Sequence, residues 1–326
     1  MIICQTPFRV SFFGGGTDWP EFFSEHRGAV LGTAIDKYVF HAAAHFPSQL
    51  FDYSIRLAYR KVERVQSVDD IEHVPFRAIL KDFGIDRDIE IDLMADLPSF
   101  SGIGSSSSFT VGLINTLAAF QGRFLSKHDL CHAAIRIERE VLKESVGCQD
   151  QVFAAFGGLN VVEFRGLHDI VVDRVVINPS RLEELNASLH LVFTGVTRRA
   201  GDVERDKMAR IRQTAPVLHE MLKLVECGHA VLTGAGPLSA LGHLLHKAWC
   251  EKKALSPRVS NDEIDQLYNL AMQHGALGGK LLGAGGGGFM LFFVPPDRQQ
   301  RLRTALASYP TVDFKVNAPG SHIVHS

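Results

Sequence analysis

The 326-residue chain predicts an α+β fold in two domains. Three observations carry this expectation. The first 60 residues are rich in β-branched and aromatic runs, whereas the second half reads as helices laid on an antiparallel sheet. The length suits one large or two ordinary domains. Asn178-Pro179 marks a boundary, which divides the chain into residues 1–180 and 181–326.

In chain order, "FRVSFF" (8–13), "AVLGTAI" (29–35) and "YVFHAAAHF" (38–46) have strand composition, punctuated by glycine. A helix is expected from Val74 to Phe83, stopped by Gly84. "DIEIDLMADLP" (88–98) alternates apolar and polar residues like a half-buried strand. An apolar helix follows over 105–120, and a second opens at Ser126, with Asp129 three residues on, and runs to about Lys143. "GGLNVVEFRG" and "DIVVDRVVI" read as strands. Beyond the boundary come a strand "SLHLVFTG", a helix from about Gly201 to Cys227, and helices near 235–253 and 261–274. A glycine stretch, a strand 289–294, a helix from about Asp297 to Ser308 and a last strand "TVDFKV" complete the chain.

Composition narrows the function classes. A net charge of −2 leaves no electrostatic footprint for nucleic acid or an anionic membrane. No apolar run approaches the ~18 residues that span a bilayer. The five cysteines are dispersed without a C-x-x-C pair, and the N-terminus has no signal-peptide pattern, so a cytoplasmic protein with reduced thiols is expected. The His41/His45 and His128/His132 pairs lack the glutamate of a zinc helix.

"LLGAGGGGFMLFF" (281–293) satisfies G-x-G-x-x-G, the dinucleotide fingerprint, but a Rossmann glycine run must open a helix. Here an aromatic run stopped by Pro295-Pro296 follows, which is a strand. The segment therefore reads as strand, turn, strand, and its glycines permit positive φ and close passage to another loop.

Three further stretches bear chemistry. In "DLPSFSGIGSSSSFTVGL" a strand ends, a Ser/Gly loop follows and a helix starts near Ser105. Backbone N–H groups at that helix start suit phosphates, and the serines add hydroxyls for phosphate or Mg²⁺. On its own the stretch equally suits a flexible loop. Glu138 on a helix and Asp150 twelve residues later in "GCQDQ" offer one carboxylate for Mg²⁺ and one for a hydroxyl proton. Glu138 alone also fits a solvated helix face. In "PFRVSFFGGGTDWPEFF" Arg9 precedes three glycines that turn the chain toward Thr17 and Asp18, a carboxylate placed for sugar hydroxyls or for a simple turn cap.

Taken together, "PFRVSFFGGGTD", "GIGSSSS" and "GGKLLGAGGGGF" resemble the three ordered motifs of the GHMP small-molecule kinases over nearly the whole chain. The resemblance implies an N-terminal domain of the ribosomal-protein-S5 type, a ferredoxin-like C-terminal domain, and ATP with Mg²⁺ bound between them. It assigns Ser101, Gly102, Ile103, Gly104, Ser105, Ser106, Ser107 and Ser108 to the phosphate loop, with Gly285 and Gly286 on the opposite wall. It makes Ser106 and Glu138 the Mg²⁺ ligands, Asp150 and Arg9 the catalytic pair, and Gly15, Gly16, Thr17 and Asp18 the acceptor turn. Where galactokinases read G-E-H-T-D this chain reads Gly14-Gly15-Gly16-Thr17-Asp18, which departs from galactose. With "VGCQDQ" and "TGVTRRA", that form is similar to kinases of D-glycero-D-manno-heptose 7-phosphate, and less closely to fucokinases. A phosphorylated acceptor needs cations, for which Arg198 and Arg199 are the candidates, with Lys207 behind them. The rival expectations are a kinase of another aldose and a non-catalytic sugar-phosphate-binding protein.

Overall fold

The computed structural model describes residues 1–196 and 201–326. Its first unit is built on an eight-stranded sheet. β1 (Ile2–Phe13) alternates faces: Phe8, Val10 and Phe12 are fully buried in a hydrophobic cluster, and Arg9 and Ser11 between them line a cleft. The short α1 (Pro20–Phe23) leads into β2 (Gly28–His45), one continuous 18-residue strand where two were expected. Asp36 and Lys37 explain the difference. Pro7 pairs with Tyr38 but Phe8 pairs with Ile35, so this charged dipeptide bulges out and pairing resumes beyond it.

β3 (Ile55–Ala58), β4 (Val62–Val65), α2 (Val74–Asp82) and β5 (Ile89–Ala95) follow, and with the terminal strand β12 (His322–His325) the order is β12-β1-β2-β5-β3-β4. α3 (Ser105–Phe120) packs on β1 and β2, and Val111, Leu113, Ile114 and Leu117 are fully buried. α4 (Lys127–Arg136) is capped as expected: Ser126 Oγ accepts from Asp129 N–H at 3.1 Å. The helix does not stay α-helical to Lys143, because residues 137–141 widen into a π turn in which Leu142 N–H donates to Ile137 O at 2.8 Å. α5 (Gln149–Phe156), β6 (Leu159–Gly166) and β7 (Asp169–Arg174) complete this unit, with β6 paired to β2.

α6 (Pro179–Ser188), capped by Asn178 Oδ1, carries the chain across the expected boundary into the second unit. There β8 (Leu189–Phe193) precedes α7 (Gly201–Ala209), α8 (Ile211–Thr233), α9 (Ala240–Ala254), α10 (Asp262–Gln273), β9 (Gly278–Leu281), β10 (Phe289–Phe293), α11 (Gln299–Ala305) and β11 (Thr311–Val312). The strands form an antiparallel sheet in the order β11-β8-β10-β9. The single helix expected over 201–227 is two, broken at Arg210, and Pro216 lies inside the second of them, where it removes one helical hydrogen bond. "TVDFKV" joins the second sheet through Thr311 and Val312 alone. Lys315 N–H then donates to Asp36 Oδ1 at 2.7 Å, Val316 bridges Ile35, and β12 (His322–His325) joins β1. The tail, expected on the second unit, thus belongs to the first sheet. One apolar cluster spans both units, joining Phe8, Phe12 and Phe13 to Leu224, Leu241 and Leu291. No helix among the described residues is long and apolar enough to cross a membrane.

Candidate active site

A cleft between the units gathers most of the expected residues. Gly102, Gly104, Ser105, Ser106 and Ser107 line it, as do Arg9, Gly15, Gly16, Asp18 and Asp150, and Gly283 and Gly285 form the facing wall. Gly102 (φ 81°) and Gly104 (φ 76°) turn the loop into α3, whose first residues, with N–H groups that have no helical partner, line the cleft. The other loop residues serve the fold: Ser101 Oγ donates to Pro98 O, Ser108 Oγ donates to Pro7 O, and Ile103 is fully buried. Gly286 is held by Val259, to whose carbonyl its N–H donates at 2.9 Å.

The glycine wall touches the serine loop directly. A Cβ on Gly283 (φ 66°) would lie 2.5 Å from Gly102 Cα, and one on Gly288 would lie 2.4 Å from Ser101 O. Phe289 N–H donates to Ser101 O at 2.9 Å and locks the two together. Gly283→Ala is therefore expected to destabilise the protein by about 2 kcal/mol or more, through strained φ and the clash. It should also raise the KM for ATP at least about tenfold, because the loop is displaced by more than a side chain can absorb. Thermal melting and nucleotide titration check both effects.

Arg9 is 4% exposed and grips Asp150 with two bonds, Nε to Oδ1 at 2.8 Å and Nη2 to Oδ2 at 2.7 Å. Its third nitrogen donates to Gly102 O at 2.6 Å, which ties the pair to the serine loop. Asp150 sits in the first turn of α5, where the helix dipole favours a carboxylate.

Glu138 is not a solvated face, for it is fully buried in the π turn. Ser107 Oγ donates to its Oε2 at 2.9 Å, and Gln151 Nε2 donates to the same oxygen. Oε1 has no partner. Burial, reinforced by Glu144, pushes this carboxyl up to about 8. Ser106, the expected companion hydroxyl, is exposed on the cleft, and Ser107 is the serine that touches Glu138.

Asp18 is also buried. Its Oδ1 accepts from Gly16 N–H at 2.7 Å and its Oδ2 from Gln149 N–H at 3.2 Å. Burial outweighs those donors and pushes the carboxyl up to about 6, with Asp150 adding to the effect. Thr17 turns away from the cleft, its hydroxyl donating to Gly14 O at 2.8 Å and Ala29 O at 2.9 Å. Gly14 (φ 84°) admits no side chain, since a Cβ would lie 2.0 Å from Ala29 O.

Several lining residues escaped the sequence reading. Ser11 Oγ, Gln149 Oε1 and Glu204 Oε2 are buried without a hydrogen-bond partner among the described residues, and all three residues border the cleft. Orphaned polar atoms at a cleft mark where a ligand supplies the partner. Lys252 and Lys280 line the cleft too. Lys280 stands inside "GGKLLGAGGGG", where it is visible once the segment is read as a strand with one polar residue. Lys207 contributes as well, bonded to Glu204 at 2.8 Å and set over the Trp19 ring. Arg198 and Arg199 lie outside the described residues.

Residues 73–158 match the family described as GHMP kinases N terminal domain, and residues 235–311 match GHMP kinases C terminal. A relative from Campylobacter jejuni, named D-glycero-alpha-D-manno-heptose 7-phosphate kinase, is 34% identical over 325 residues, covering 93% of this chain and 92% of its own. A galactokinase of Thermococcus kodakarensis is 26% identical, covering 95% and 94%. A solved structure described as a D-glycero-D-manno-heptose 1-phosphate kinase from Bacteroides thetaiotaomicron superposes with a TM-score of 0.81 at 22% identity, covering 100% of this chain and 99% of its own. That last likeness speaks to the fold.

Proposed function

This chain belongs to the GHMP kinases, and on that premise we propose that it transfers the γ-phosphoryl group of ATP to the anomeric hydroxyl of D-glycero-D-manno-heptose 7-phosphate. The products are the 1,7-bisphosphate and ADP, on a route to nucleotide-activated heptose. The observation that carries the reading is one cleft in which the Arg9–Asp150 pair, the Asp18 turn and a lysine-bearing wall meet the serine loop. The relative from Campylobacter jejuni, alike over nearly its full length, supports the choice of acceptor.

In this reading residues 1–180 supply the acceptor turn, the phosphate loop and the carboxylates, and residues 181–326 supply the glycine wall. Phosphoryl transfer depends on in-line positioning and charge neutralisation rather than covalent chemistry. The N–H groups at the start of α3 cradle the triphosphate, and Gly102 and Gly104 allow it to approach. Asp18 and Ser11 hold ring hydroxyls. Asp150 accepts the proton of the anomeric hydroxyl, and Arg9 holds that carboxylate in place beside the transferred group. The donor set fits Mg²⁺, which prefers one or two carboxylates and keeps waters and phosphate oxygens: Ser106 offers a hydroxyl on the cleft, and behind it Ser107 is hydrogen-bonded to the buried Glu138, whose Oε1 has no hydrogen-bond partner among the described residues. Bound there, Mg²⁺ would neutralise the β- and γ-phosphate oxygens.

The test is ADP release across an acceptor panel of heptose 7-phosphate, heptose, L-fucose and D-galactose. The phosphorylated heptose should exceed the others in kcat/KM by about 100-fold or more, the discrimination expected of a site that pairs buried charge with its substrate. Phosphorus NMR should find the new phosphate on the anomeric carbon. Preference for an unphosphorylated aldose, or a product phosphorylated elsewhere, sinks the assignment.

A further inference from the structure

Two lysines in the second unit are buried with no carboxylate among the described residues hydrogen-bonded to them. Lys280, 3% exposed, donates from Nζ to Phe12 O at 2.9 Å. Lys252, 6% exposed, donates to Leu281 O at 2.7 Å and Gly283 O at 2.6 Å. These acceptors are neutral carbonyls, and each ammonium keeps protons to spare. A buried charge is ordinarily paired, because leaving it alone forfeits solvation with no Coulombic return.

Their surroundings deepen the imbalance. Lys280 feels Arg9 and Lys207 as like charges, and Lys252 feels Lys280, Lys207 and Arg9. The nearby carboxylates offset this only in part: Asp150 is paired with Arg9, Glu204 bonds Lys207 through Oε1 and acts on Lys252 from a distance, and Asp18, held by two backbone N–H groups, does the same for Lys280. Burial, with those neighbours, pulls the Lys280 ammonium down to about 7. A dianion arriving beside it would restore the proton and supply the missing counter-charge.

The cluster lies on the acceptor side of the cleft. Phe12, which holds Lys280, is two residues before the Gly14–Gly16 turn. Lys207 covers Trp19, next to Asp18. Leu255, three residues after Lys252, is 3.8 Å from where a Cβ on Gly16 would be. We propose that Lys252 and Lys280, joined by Lys207, are the seat for the acceptor's own phosphate group. This rests on the acceptor being phosphorylated, and it places the recognising cations in the second unit's sheet and helices.

The experiment measures, at saturating ATP, the ratio of kcat/KM for heptose 7-phosphate to that for unphosphorylated heptose. Wild type, Lys280→Met, Lys252→Met and Lys207→Met are compared. The ratio should fall by about 30-fold in Lys280→Met, the loss of one charge-assisted hydrogen bond to phosphate. A ratio preserved in all three variants, with both acceptors slowed alike, overturns the seat and assigns these lysines to the transferred phosphoryl group or to the fold. A ratio near one in wild type sinks the phosphorylated acceptor itself, a separate failure. Should the buried replacements not fold, Lys207→Met carries the comparison. Thermal stabilisation by heptose 7-phosphate without nucleotide gives a second reading, present in wild type and lost in the variants if the seat is real.

Discussion

Asp150→Asn should lower kcat by about 10³-fold, and adding Arg9→Met should recover stability but no activity. Two penalties are separable here. An amide cannot accept the anomeric proton, and this removes the chemistry. It also presents N–H groups to a guanidinium that had two carboxylate oxygens, at 2.8 and 2.7 Å. Arg9 is then a buried charge without its partner, which costs about 3 kcal/mol. Methionine in place of Arg9 removes that charge, so the double variant should melt above Asp150→Asn although it lacks both groups. ADP release and thermal melting on the four proteins check the cycle. If activity returned with stability, Asp150 would be only an anchor for Arg9, and the proton would leave by another route.

What the sequence made legible follows from which forces act locally. The start of α3 at Ser105 and the cap at Ser126 depend on residues within one helical turn, and both stand where the residues predicted them. The glycine run resolved into strand, turn and strand because Pro295-Pro296 ends the aromatic run after it within six residues, too short for the helix that a dinucleotide fingerprint must open. Glu138 was harder. Arg139 beside it reads as a solvated face, and the π turn that carries Glu138 into the interior beside α3 has no marker in the residues. Ser106 and Ser107 are indistinguishable in a row of four serines, and only the helix phase at Ser105 selects which one reaches Glu138. Lys252 and Lys280 escaped because their meaning is tertiary: a lysine in "CEKKA" or "GGKLL" reads as exposed until the cleft closes over it. The path of the tail depends on Asp36, 279 residues from Lys315. No window of sequence contains that pair.

Glu138→Gln should abolish measurable transfer and yet raise the melting temperature, and the gain should grow with pH. The folded Glu138 carboxyl titrates near 8 against an ordinary value of 4.5, so between those values the folded state keeps a proton that the unfolded state has released. The stability linked to that proton is complete below about pH 4.5 and is lost as pH rises through about 8. Glutamine has no proton to lose and retains an oxygen for the Ser107 and Gln151 donors. Near pH 5 the two proteins should therefore melt nearly alike, and near pH 9 the variant should be ahead by roughly 5 kcal/mol, or about 7 °C. Asp18 and Lys280 titrate in both proteins and cancel from the difference. Magnesium with a non-hydrolysable ATP analogue should reverse the order, because a ligand that binds Glu138 Oε1 stabilises only the protein that has a carboxylate there. A variant that melts no higher than wild type at alkaline pH would mean that Glu138 is already neutralised within the fold, leaving no free carboxylate for the metal. A gain that magnesium and nucleotide do not reverse would leave the carboxylate buried for some purpose other than holding the ion. A buried carboxylate with one free oxygen weakens the empty fold, and ligand binding is what makes that weakness useful.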